Sequence, residues 1–157
     1  MGTPVRGTRK RNWRPPGRDR GLTSAAMDAA HLKSIPLFAS LSRKEQALVA
    51  RHADEVEVGA GEVLAREGEV AKEFFVIQAG TATVTNRRGE VINQLGPGDF
   101  FGEIGLLETL RRTASVTADT PMKLIVMFGP EFTAVEAEIR DLDRCIRKVI
   151  AERMGAA

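Results

Sequence analysis

Cysteine, histidine and aromatic residues are scarce in this 157-residue chain, and each scarcity removes a class of chemistry. The single cysteine, Cys145, excludes an internal disulfide framework and any cysteine-cluster metal site, and it fits a reducing compartment. Two histidines, His31 and His52, and no tyrosine leave few groups for metal binding or for acid–base work near neutrality. No apolar run approaches the roughly 20 residues needed to cross a bilayer, and the N-terminus lacks the hydrophobic core of a signal peptide. The expectation is a soluble cytoplasmic protein with no metal and no membrane partner. The length accommodates one domain and a tail, so a separate catalytic module is not expected.

What is present is an ordinary globular composition, 43% hydrophobic and 28% charged. The net charge of +2 conceals an asymmetry. Residues 1–26 carry seven basic side chains (Arg6, Arg9, Lys10, Arg11, Arg14, Arg18 and Arg20) against Asp19, so the remainder of the chain is net acidic. This arm also holds Pro4, Pro15, Pro16 and four glycines, with almost no branched apolar side chains to build a core. It is predicted to be disordered. Two readings of it stand: a cationic arm that holds phosphate, with Trp13 as a stacking partner, or a solvated tail upstream of a start at Met27.

The ordered pattern is expected over 27–157. Asp28 is placed to cap a short helix with Ala29, Ala30 and Leu32, followed by an apolar turn from Ile35 to Leu41. Ser42 and Glu45 form a capping box that opens a helix through about His52, with Leu48 and Val49 on its buried side. After Asp54 the apolar period becomes two, and turn signals recur every 8 to 12 residues or so, the pattern of an all-β barrel or sandwich. The expected strands are Glu55–Val58, Glu62–Arg66, Phe74–Gln78, Thr81–Thr85, Val91–Leu95, Ser115–Ala118 and Leu124–Phe128. A hairpin turn falls on Asn86-Arg87-Arg88-Gly89. Pro130 opens a helix that runs to Glu138, and a second spans Arg140 to Met154. Its apolar stripe is Leu142, Cys145, Ile146, Val149 and Ile150, which places Cys145 in the core.

The segment from Gly96 to Val116 carries the chemistry. A short helix-compatible piece, Glu103 to Leu107, interrupts two strand-like stretches just after a glycine. Its N-terminus would offer free N–H groups to an anion. Gly102 and Gly105 let backbone approach closely. Nine positions after Glu103 stands Arg112, whose guanidinium can hold two phosphate oxygens at once. Strand alternation toward Ala114 and Val116 turns it inward. Glu103 would repel a phosphate, unless the ligand also presents a hydroxyl donor to it. A ribose 3′,5′-cyclic phosphate with a free 2′-hydroxyl has that layout.

The stretch Phe101-Gly102-Glu103-Ile104-Gly105-Leu106, followed by Arg112-Thr113-Ala114-Ser115-Val116, resembles the phosphate-binding cassette of the cyclic-nucleotide-binding domain family. That family includes catabolite-activator-type regulators, kinase regulatory subunits and cyclic-nucleotide-gated channels. The resemblance extends from about Met27 to Met154, and Arg111 to Val116 looks most like the channel members. It implies an α+β, mainly β fold: an eight-stranded antiparallel, jelly-roll-like β-roll with N-terminal helices, a short phosphate-binding helix and two C-terminal helices. It also implies that Glu103 accepts the ribose 2′-hydroxyl and Arg112 pairs with the cyclic phosphate. Gly102, Ile104 and Gly105 would present backbone. Thr113 occupies the position where a hydroxyl accompanies acceptance of cyclic GMP as well as cyclic AMP. Ala114 belongs to the same wall, Val84 and Val116 would support the base, and Arg153 or Arg147 would cover it.

The resulting expectation is a sensor of cAMP, and of cGMP, that signals by repositioning its C-terminal helix. It is not an enzyme and has no cofactor beyond that ligand. The signal would pass to a protein effector in trans or to self-association. Two alternatives remain at this point: a degenerate, non-binding interaction or oligomerisation module, and a transcription-associated regulator acting through the basic arm. The lack of a recognition helix after the roll counts against nucleic acid as a partner.

Overall fold

The computed structural model describes residues 23–26, 28–103 and 110–155. Helices pack on one face of a two-sheet antiparallel roll. The strands are β1 (Thr23–Ala26), β2 (Asp54–Val58), β3 (Val63–Ala65), β4 (Glu73–Ala79), β5 (Ala82–Thr85), β6 (Val91–Leu95), β7 (Phe100–Phe101), β8 (Ser115–Ala118) and β9 (Met122–Phe128). One sheet has the order β1-β2-β9-β4-β7 and the other β3-β8-β5-β6. Strands β2 to β9 are the eight of the expected roll. A 3-10 helix (Ala29–Ser34), α1 (Pro36–Ala39) and α2 (Arg43–Arg51) precede them, and α3 (Gly129–Glu138) and α4 (Arg140–Gly155) follow. Among the described residues no helix is long and apolar enough to cross a membrane.

Local chemistry accounts for most of these elements. Asp28 caps the 3-10 helix by accepting from the Ala30 N–H at 2.9 Å. Ser42 and Glu45 make both bonds of the capping box, at 3.1 and 3.0 Å. At the β5–β6 hairpin Asn86 Oδ1 accepts from the N–H groups of Arg88 and Glu90, and Gly89 takes φ +81°. The 3-10 helix ends at Ser34, just before Pro36, and Pro36 occupies the first turn of α1, where its missing N–H is harmless.

Strand β4 is apolar on both faces because both are covered. Phe74 and Val76, with Ile125 and Met127 of β9, face the helical layer; Phe75 and Ile77, with Leu124 and Val126, face the second sheet. The helical layer closes with Phe132, Leu142, Ile146 and Ile150, and the Phe132 ring stacks on Phe74 with centroids 4.5 Å apart. Ile139, in extended conformation, separates α3 from α4, so the C-terminal pair is two helices and not one bent helix.

Two expectations need correction. Thr23–Ala26, assigned to the disordered arm, pair with β2 in the register Thr23↔Glu57 to Ala26↔Asp54. Backbone pairing along the exposed edge of β2 is indifferent to side-chain composition, which is all the arm's sequence offered. Residues 1–22 lie outside the described residues. Cys145 is exposed, whereas Leu142, Ile146 and Ile150 of the same stripe are buried. It lies on the margin of the stripe, beyond the width that α3 and the sheet cover.

Candidate functional site

A cavity of about 420 Å³ opens against the inner face of the four-stranded sheet. A cross-strand row, Val116 on β8, Val84 on β5 and Asn93 on β6, forms part of its floor. Opposed residues of antiparallel strands share a face, so the row is set by register alone. Gly102, Glu103, Arg112, Thr113 and Ala114 line the same cavity, and Glu152 of α4 reaches it from the helical side.

Arg112 is 7% exposed, and its surroundings show how the fold holds a guanidinium inside. Its backbone is tied to the loop before β4: its N–H donates to Glu69 O at 2.8 Å, and its carbonyl accepts from Gly68 N–H at 2.9 Å. Its Nη2 donates to Glu73 Oε1 at 2.8 Å and to Glu73 O at 3.0 Å. The guanidinium carbon lies 5.6 Å from the centroid of Phe75, which in turn stacks on Phe101 at 4.5 Å. Nη1 is buried and has no hydrogen-bond partner among the described residues. Burial pulls the pKa of Arg112 below its ordinary value, and the carboxylates of Glu73 and Glu103 oppose that shift.

Glu103 is fully buried and close enough to act electrostatically on Arg112. Between them sits Gly102, at φ +99°. A Cβ there would stand 2.6 Å from Glu73 O and 3.0 Å from Arg112 Nη1. Glycine is therefore required by backbone conformation and by space at once.

The residues singled out in the sequence are thus distributed as follows. Val84, Gly102, Glu103, Arg112, Thr113 and Ala114 meet around one cavity. Ile104 and Gly105, with the expected phosphate-binding helix beyond Glu103, lie outside the described residues, as does the side chain of Arg153. Arg147 does not cover the cavity: its Nε holds Asp143 at 3.0 Å and its Nη2 lies 3.7 Å from Glu136 Oε2, at the joint between α3 and α4. Residues three to four apart on a helix pair readily, and that local pairing decides its direction. Three polar contributors were missed. Glu73 is 39 residues from Arg112, Asn93 occupies a strand position that alternation reserves for an apolar side chain, and Glu152 lies on α4 outside its apolar stripe.

The geometry has counterparts in known proteins. The profile of the cyclic nucleotide-binding domain family matches residues 55–138. The cAMP-dependent protein kinase regulatory subunit of Eremothecium gossypii is 40% identical over 96 residues, which cover 61% of this chain and 21% of that protein. A cyclic nucleotide-gated potassium channel of Rhizobium etli is 33% identical over 122 residues, covering 78% of this chain and 34% of the channel. Among solved structures, the regulatory domain of Toxoplasma gondii PKA with cAMP superposes with a TM-score of 0.60 at 31% identity, covering 68% of this chain and 42% of that one. The chain accordingly spans between about a fifth and about a third of the length of these curated relatives. With more than half of its residues matched by the profile and the roll in place, the chain belongs to the cyclic nucleotide-binding domain family.

Proposed function

We propose that this chain binds a purine 3′,5′-cyclic nucleotide, cAMP with cGMP also accepted, and acts as a regulatory sensor and not as a catalyst. The observation that carries the reading is the burial of Arg112 and Glu103 together on one cavity wall. A cation able to bind two oxygens and a carboxylate able to accept from a hydroxyl match the two polar ends of a ribose cyclic phosphate. Arg112 takes the phosphate, Glu103 the 2′-hydroxyl, and the Gly102 backbone admits the sugar phosphate at close range. Thr113 adds a hydroxyl, while Ala114 and Val84 contribute apolar wall. Ile104 and Gly105 complete the cassette. The relatives named with cAMP support the default ligand.

The signal follows from differential affinity. A ligand shifts a two-state equilibrium only by the difference in its affinity for the two states. Here the second state is α4 drawn over the cavity mouth, with Arg153 beside Glu152 as its covering residues. The output, read by an effector or by self-association, is the position of α4. A micromolar messenger gains about 8 kcal/mol on binding.

Calorimetric titration with cAMP and cGMP tests the proposal. The wild type is expected to bind both in the micromolar range, and Arg112→Ala at least about tenfold more weakly, with melting curves verifying that the variant folds. No heat from the wild type with either ligand at millimolar concentration would sink the proposal. An Arg112→Ala variant that binds as well as wild type would remove the phosphate assignment.

A further inference from the structure

Building on the proposed cyclic-nucleotide site, we propose that Glu136, Asp143 and Arg147 form a proton-operated latch on α4. While one proton bridges the two carboxyls, the latch holds α4 where the structure places it; when that proton leaves, α4 is free to swing over the ligand. The three residues sit at the joint of the C-terminal helices. Glu136 lies near the end of α3 and is 8% exposed, Asp143 lies in the first turn of α4, and Ile139 between them is extended, at φ −116° and ψ 96°. Ile139 is therefore the pivot about which α4 changes its angle to α3. From Asp143 to Glu152, which lines the cavity, α4 runs roughly 13 Å, so a small tilt at the joint becomes a displacement at the ligand.

The contacts at the joint are those of a shared proton. The carboxyl of Glu136 is hydrogen-bonded to that of Asp143. Two ionised carboxylates are both acceptors, so such a bond exists only while one of them is protonated. Arg147 does not replace the proton. Its Nε holds Asp143 Oδ1 at 3.0 Å, while its Nη2 stands 3.7 Å from Glu136 Oε2, beyond hydrogen-bond length. That buried oxygen has no hydrogen-bond partner among the described residues. The other elements packed around α3 bring no second cation to Glu136. Strands β4 and β9 turn Phe74, Val76, Ile125 and Met127 toward the helical layer. Arg144 pairs with Asp141 and acts on Asp143, and His52 at the end of α2 holds Glu131 at the opposite end of α3. Burial and Asp143 accordingly raise the pKa of Glu136 to about 7, so the shared proton is gained and lost near neutrality.

The direction of the effect follows from the geometry. To cover the ligand, α4 turns about Ile139 and carries Asp143 and Arg147 away from Glu136. Parted from Asp143 and reached by water, Glu136 regains the acidity of an ordinary carboxyl and gives its proton to solvent. Cyclic-nucleotide binding is thereby coupled to proton release, and linkage requires the affinity to rise with pH. A cyclic phosphodiester has no ionisation near neutrality, so the ligand brings no proton change of its own.

The test titrates cAMP calorimetrically into the full-length wild type, Glu136→Gln and Glu136→Ala at about pH 6 and about pH 8, in buffers of different ionisation enthalpy. Glutamine keeps a hydrogen bond to Asp143 and mimics the protonated acid; alanine removes the latch. The wild type is expected to bind roughly three- to tenfold more tightly at the higher pH and to release up to about half a proton per ligand near pH 7. Both variants lose that dependence, Glu136→Gln at the weaker affinity and Glu136→Ala at the tighter one. A second readout needs no ligand. An environment-sensitive fluorophore on Cys145, the single cysteine and exposed on α4, should change its emission between the two pH values in the wild type and not in Glu136→Gln. Wild-type affinity that is flat or rises toward acid, or a Glu136→Gln variant that keeps the wild-type slope, would overturn the latch; melting curves verify that the variants fold. Absence of binding at both pH values with a Cys145 signal that still responds in the wild type alone overturns the nucleotide reading and upholds the latch. Absence of binding with an unresponsive signal overturns both.

Discussion

Arg112 Nη2 lies 2.8 Å from Glu73 Oε1, and both side chains are largely shielded from water. The carboxylate does for the guanidinium what a bound phosphate would do: it neutralises a charge that the cavity wall has taken out of solvent. A buried cation left without its partner is costly, by about 3 kcal/mol or more. Glu73→Ala is therefore expected to lower unfolding free energy by about that amount in urea titrations. Saturating cyclic nucleotide should return part of the loss, because a ligand that binds only the native state stabilises it. A change under about 1 kcal/mol would show that water enters to solvate Arg112 instead.

Gly102 and Gly61 have nearly the same backbone, φ +99° and +88°, yet different surroundings. At Gly61 a Cβ meets nothing within 4 Å; at Gly102 it would stand 2.6 Å from the carbonyl of Glu73. Gly61→Ala should cost about 1 kcal/mol of left-handed strain and leave ligand affinity alone. Gly102→Ala should cost at least about twice as much and weaken cyclic-nucleotide binding, because the chain must move away from Arg112. Equal stability losses for the two variants would contradict the steric account.

At the joint of α3 and α4, burial and the neighbouring Asp143 raise the pKa of Glu136 to about 7, against the opposing influence of Arg147. The same hydrogen bond holds Asp143 below its usual range. A raised carboxyl keeps a proton in the native state that the unfolded chain has already released. Its contribution to stability is complete below about pH 4.5 and is lost as pH rises through about 7. The Asp143 contribution has the opposite sign but lies below pH 3.8, outside that window. The melting temperature of the wild type should fall across this interval relative to Glu136→Gln, whose profile should be flatter. Parallel profiles would show that Glu136 titrates normally.

The capping box of α2 gives a local measure of helix stability, since Ser42 and Glu45 exchange two hydrogen bonds at the helix start. Ser42→Ala is expected to cost about 1 kcal/mol in chemical denaturation, with nucleotide affinity unchanged because α2 does not line the cavity.

Much of this architecture was legible because its causes are local. Ser42 with Glu45, Asn86 before Gly89, and the alternation of Ala82 and Val84 each specify a cap, a turn or a strand from residues close in sequence. The stretch from Phe101 to Val116 was legible for another reason: it resembles the motif of a known family residue by residue, and Gly102, Glu103 and Arg112 do meet at one cavity. Cys145 was misplaced because a helical stripe says which face is apolar, not how wide a surface the neighbours will cover. Arg147 was misplaced because a short ion pair with Asp143 outweighs reaching across a cavity. The two-residue strand β7 and the edge strand β1 escaped notice because each is held by its partner's backbone, Phe101 on Phe75 and Thr23 on Glu57, and carries no pattern of its own.

The sequence by itself determined most of the helices and strands, through capping and periodicity within short stretches, and it carried the motif by which the family is recognised, with the two charged residues around which the cavity is built. Tertiary structure alone decided what faces those charges. Glu73 meets Arg112 across 39 residues, Asn93 joins Val84 and Val116 through strand register, and Glu152 enters through the packing of the last helix. Each of these depends on the relative placement of elements, which is settled by burial of the shared core and has no signature within any one segment.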